Sequence, residues 1–99
     1  MSLEERVKEA IHGRADVIIG KKGLTAEVLR EVEARLKVKE VVKVRVLKTA
    51  LMVTGMDRKA LAERVASELG AVLLDVRGRT FVLYKPKRSK RKPSGGKQV

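Results

Sequence analysis

Cysteine is absent from the 99 residues, which excludes both a disulfide framework and a thiolate metal site. Tryptophan is also absent. Phe81 and Tyr84 are the only aromatic side chains, too few for reading single strands by stacking bases on a platform of rings. The only histidine, His12, falls near a helix end, where a solvated imidazole is a simpler reading than a general base. No apolar run is long enough to span a bilayer, and no lipidation signal is present, so no membrane partner is expected. No secretory segment precedes Arg6, and the cytoplasm is therefore the expected compartment.

Positive charge, by contrast, is abundant. Lys and Arg number 24 against 12 Asp and Glu, a net +12 with a sequence pI of about 10.5, a field that attracts polyanions. Lys87, Arg88, Lys90, Arg91, Lys92 and Lys97 lie beyond Pro86 with no acid among them, yet half of the net charge stays on residues 1–86. Residues 87–99 are basic, polar and without an apolar period, and read as a disordered tail that would need a partner to become ordered. Residues 1–86 read as one domain, small enough that little stability is spare.

Leu3, Val7 and Ile11 repeat at helical spacing and stop at Gly13. The run from Ala15 to Ile19 is short, apolar and β-branched, and reads as a buried strand. Thr25 is a candidate N-cap for a second helix whose apolar face is Val28, Leu29, Val32 and Leu36. From Glu40 to Lys48 the period changes to two. Val42, Val44 and Val46 take one side of a strand, and Lys43 and Arg45 the other. Asp57 can cap a third helix along Leu61, Val65 and Leu69, closed by Gly70. Residues 72–77 and 80–85 read as a hairpin around Gly78, ended by Pro86. The order α, β, α, β, α, β, β predicts an α/β domain with a mixed four-stranded sheet and two parallel crossovers.

The segment Val17 to Thr25, VIIGKKGLT, carries the most chemistry. Gly20 and Gly23 can take positive φ and let a ligand approach the backbone, Lys21 and Lys22 supply charge, and the helix behind offers unpaired N–H groups. A phosphate-binding turn is the functional reading. The alternative is a plain strand-to-helix turn with solvated lysines. A nucleotide-hydrolysing loop is excluded by spacing, because Ala15 stands where glycine is required and Lys22 where a hydroxyl must hold magnesium. Asp16, Asp57 and Asp75 are scattered over a strand start, a helix cap and a strand. No enzyme activity, cofactor, metal or small-molecule substrate is expected.

The motifs IGKKGLT at Ile19 to Thr25, KEVVKV at Lys39 to Val44 and VRGRTFVLYKP at Val76 to Pro86 resemble the CRM domain family, the RNA-binding modules typified by bacterial YhbY proteins. The resemblance covers most of residues 3–86. It implies an α-βαβαββ fold similar to the C-terminal domain of translation initiation factor three, in which the glycine loop and adjacent basic surface contact RNA, typically in ribosome precursors or introns. It places RNA binding on Gly20, Lys21, Lys22 and Gly23. Arg14, Lys43, Arg45, Arg77 and Arg79 extend the patch, and Lys87 and Arg88 contribute from the tail. Two other readings stand beside it. In a KH-like module, Val17 to Ile19 would end a helix rather than form a strand. In a ribosome-associated scaffold, the domain would have no RNA selectivity of its own.

Overall fold

The computed structural model describes residues 2–86, in the order α1 (Leu3–His12), β1 (Val17–Ile19), α2 (Ala26–Lys39), β2 (Val41–Val46), α3 (Lys48–Thr54), α4 (Arg58–Leu69), β3 (Val72–Arg77) and β4 (Thr80–Tyr84). Lys87, Arg88 and the rest of the expected tail lie outside the described residues.

Side-chain caps fix where three of the helices start. Ser2 and Glu5 form a reciprocal capping box on α1, and the Thr25 hydroxyl accepts from the Val28 N–H at 3.1 Å. The Asp57 carboxylate accepts from the Ala60 N–H at 2.7 Å, and α4 ends at Gly70 in the left-handed conformation, φ 65°.

The helix α3 was not expected, because the sequence carries the second strand on to Lys48. The strand ends at Val46 for a local reason. The Leu47 N–H still bonds the Ile19 carbonyl, but the N–H groups of Ala50 and Leu51 then turn back onto the Leu47 carbonyl. Seven residues are too few to print a helical period, and only Ala50 is buried.

The sheet order is β1-β2-β4-β3. β1 and β2 are parallel, and β4 pairs antiparallel with both β2 and β3. The two strands that flank β4 run in the same direction, so the second crossover skips one position that the hairpin fills. On one sheet face, α2 and α4 enclose the core. Val17, Ile19, Val42, Val44, Val46, Phe81 and Leu83 meet Val32, Leu36, Leu61, Val65 and Leu69 there.

Two details depart from simple alternation. The register shifts between Leu73 and Asp75, so Leu73 and Val76 turn to the core while Val72 and Leu74 are exposed. A bulge on an edge strand accounts for the extra residue. Ile18 is 54% exposed, although its run reads as buried, because β1 is the opposite edge strand and only its core face is covered.

The other sheet face is covered in part by α1, which packs on β2 and β4 and has no buried residue of its own. Val7, Ala10 and Ile11 are half-buried on it, and polar bonds add to the attachment. Arg6 pairs with Glu40, and the Lys43 ammonium donates to the carbonyls of Ile11 at 2.8 Å and Gly13 at 2.9 Å, satisfying the helix C-terminus.

Candidate nucleic-acid interface

A carboxylate sets where β1 begins. The Asp16 N–H donates to the Lys43 carbonyl at 2.8 Å, while the Asp16 side chain accepts from the Lys43 N–H at 3.0 Å and from the Lys39 ammonium. One short side chain thus ties β1 to β2 and to the last turn of α2. The strand it anchors is only three residues long and leads straight into the glycine turn.

That turn is closed by the Gly23 N–H donating to the Gly20 carbonyl at 2.9 Å, with Lys21 and Lys22 exposed at its tip. Neither lysine has positive φ, which fits a type I turn with glycine at its fourth position. Gly23 is buried at φ 77°, and a Cβ there would stand 3.2 Å from Thr54 Cγ2 and 3.4 Å from Val53 Cγ1. Gly20 corrects the expectation of two positive-φ glycines. Its φ is not positive, and a Cβ there would meet only Leu47 Cδ1, at 3.9 Å.

Strand direction collects the loops. β1 and β2 point toward one end of the sheet, where the glycine turn, the N-terminus of α2, α3 and the β3–β4 hairpin tip all lie. The tip is fastened there by the Val46 N–H, which donates to the Arg79 carbonyl at 2.6 Å.

The electrostatics divide the surface into two parts. The depression beside the turn is lined by Lys21 and Lys22, but also by Glu27 and Glu31 from α2. An anion is therefore favoured on the lysine tip rather than deep against the helix. On the open sheet face, a cavity of about 510 Å³ is lined by Arg14, Lys43, Arg45 and Arg79 around Ile18, with no acid. Ile18, Arg45 and Thr80 are register neighbours across β1, β2 and β4. Both parts adjoin β1, the cavity through Ile18 and the turn through Gly20, which follows Ile19 directly.

The expected residues are not equivalent. Arg14, Lys21, Lys22, Arg45 and Arg79 have side chains that make no hydrogen bond or ion pair with the described residues. Lys43 lines the same cavity but is committed to the carbonyls at the end of α1. Arg77 stands on the edge strand β3, paired with Asp75 at 2.9 Å. Ile18 was not anticipated as part of the surface, and neither was α3. The scattered aspartates each serve the fold, Asp16 at the strand start, Asp57 at a helix cap and Asp75 on Arg77, and His12 is exposed. Among the described residues no three His, Cys, Asp or Glu side chains gather as a metal site.

Fold and surface together define a small basic α/β domain that presents cations from one end and one face of its sheet. The chain belongs to the CRS1 / YhbY (CRM) domain family, whose sequence profile matches residues 2–85. The Methanocaldococcus jannaschii protein named Probable RNA-binding protein MJ0652 is 33% identical over 79 residues, which cover 80% of this chain and 57% of that relative. The chain thus spans little more than half the length of this curated relative. The solution structure of a hypothetical protein from Staphylococcus aureus matches with a TM-score of 0.68 at 24% identity, over 89% of this chain and 88% of that one, a likeness of fold. Val17–Ile19 forms a strand, not the end of a helix, so the KH-like arrangement is not the one adopted.

Proposed function

We propose that this domain binds RNA through its phosphates, using the Gly20 to Gly23 turn and the basic sheet face beside it, and that its target is structured ribosomal RNA during ribosome assembly in the cytoplasm. One observation carries the reading. Five cations, Lys21, Lys22, Arg14, Arg45 and Arg79, lie along β1 and the adjoining sheet end with no internal partner among the described residues. Elsewhere, Arg6, Lys39, Arg64, Arg77 and Lys85 are tied to carboxylates or carbonyls of the fold. The cations of α1 and α2 left unpaired among the described residues, Lys8, Arg30, Arg35 and Lys37, are interleaved in sequence with Glu4, Glu5, Glu9, Glu27, Glu31 and Glu33, whereas the cavity on the sheet face holds no acid. Unspent guanidinium and ammonium groups on adjoining parts of one surface match a polyanionic chain, and phosphate contacts of this kind hold register without reading sequence. The family and the name of the curated relative support RNA as the polyanion.

Replacing Lys21 and Lys22 together by alanine tests the reading, because both side chains are exposed and their loss leaves the fold intact. The expected result is an affinity for RNA lowered about tenfold at moderate salt. The slope of log affinity against log salt should flatten by about 1.4, from two lost phosphate contacts at ~0.7 each on a single strand. Wild-type affinity and slope in this variant would remove the turn from the interface. Crosslinking in cells followed by sequencing of bound RNA should enrich precursor ribosomal RNA. Enrichment of transfer or messenger RNA instead would overturn the choice of target.

A further inference from the structure

The short helix α3 leaves Met52 72% exposed and Val53 62% exposed, an apolar ledge that serves no core. It is in contact with the glycine turn, since Val53 and Thr54 are the side chains that a Cβ on Gly23 would touch. Cations surround it in sequence. Lys48 stands one helical turn before Met52 on the same stripe of α3, Lys21 and Lys22 adjoin Gly23, and Arg58 and Lys59 open α4. The nearest following acid, Asp57, is engaged as the cap of α4.

We propose that this ledge packs against unpaired nucleobases of the RNA whose phosphates the turn holds, which rests on the reading above. Charge decides among occupants. A second copy docked ledge to ledge would set Lys21, Lys22, Lys48, Arg58 and Lys59 against the same five residues, a repulsive pairing. A nucleotide chain is attracted by that rim and has an apolar face to offer at its centre. Aromatic stacking is not available there, because Phe81 is 1% exposed in the core and Tyr84 pairs with Val41 at the opposite end of β2. A thioether and an isopropyl group instead offer apolar surface beside the turn, Val53 being the one that adjoins Gly23. Met in particular is polarisable and adapts its shape to different rings. The consequence is a preference for loops, bulges or single strands over continuous duplex, whose bases are stacked away from the protein.

The test is fluorescence anisotropy of the full chain with a labelled single-stranded RNA 12-mer and with the blunt duplex of the same sequence. The variant is Met52→Gln with Val53→Thr, which keeps shape and removes apolar character at exposed positions, its folding checked by melting temperature. The affinity for the single strand is expected to fall about tenfold and that for the duplex less than twofold, with the salt slope unchanged because no phosphate contact is lost. An unchanged single-strand affinity, or an equal loss on both probes, would overturn the ledge as a base contact. So would a wild-type dimer that the variant dissociates at unchanged affinity, which would make the ledge a self-association surface. Lys21→Ala with Lys22→Ala on the same probes separates the two readings. Failure of the turn leaves that variant at wild-type affinity, whereas failure of the ledge alone leaves the lysine variant weakened and the Met52/Val53 variant unaffected.

Discussion

Gly23→Val is expected to lower the melting temperature by on the order of 10 °C and to weaken RNA binding at least tenfold, whereas Gly20→Ala changes neither appreciably. The asymmetry is not visible from the two-glycine motif. Gly23 sits at φ 77°, where a side chain with a Cβ costs about 1–2 kcal/mol and a β-branched one more. It is also buried against α3, so the added carbon would press on Thr54 and Val53 at 3.2 and 3.4 Å. Relieving both strains means moving the turn away from the helix, which displaces the Lys21 and Lys22 ammonium groups from the line of cations. Gly20 has neither constraint. Thermal melts and anisotropy titrations of the two variants check the prediction, and equal behaviour at the two positions would contradict the backbone assignment.

Phe81→Ala is expected to lose about 3–5 kcal/mol of stability, the largest single effect foreseen in this domain. Phe81 is the only phenylalanine, 1% exposed, and its register neighbours are Val44 on β2 and Val76 on β3. It therefore fills the middle of the sheet under α2 and α4. Domains of this size have about 5–15 kcal/mol in total, so the loss removes a large share of the stability. Urea denaturation measures it. At a temperature where the variant is still folded, its RNA affinity should stay within twofold of wild type, because the ring faces the core and cannot meet a base. A stable variant with greatly reduced affinity would mean instead that Phe81 is a stacking residue.

Much of the architecture was legible because several kinds of signal agreed at each element. Thr25 and Asp57 are caps in the structure as in the sequence, and Leu61, Val65 and Leu69 line the core as their spacing demands. Val42, Val44 and Val46 face inward for the same reason. What was not legible depended on contacts between distant residues. The helix α3 arises from hydrogen bonds around Leu47, the bulge at Leu74 from pairing with β4, and the exposure of Ile18 from its place at the sheet edge.

The candidate site divides in the same way. Charge and the glycine turn were apparent in the chain itself, but the sorting of cations was not. Nothing local distinguishes Lys43, which closes α1, from Arg45, two residues on, which has no such bond. Nor could the sequence tell that, of the two turn glycines, only Gly23 takes positive φ, or that a helix thirty residues downstream closes over it.

The most direct measurement of the central claim is a titration of the isotopically labelled chain with single-stranded RNA, followed by amide NMR shifts. The largest changes are predicted at Gly20 to Thr25, with further changes at Ile18, Arg45 and Arg79 along the same surface. Unmoved signals there, with the changes concentrated on the outer faces of α2 and α4 around Arg30 and Arg64, would contradict it.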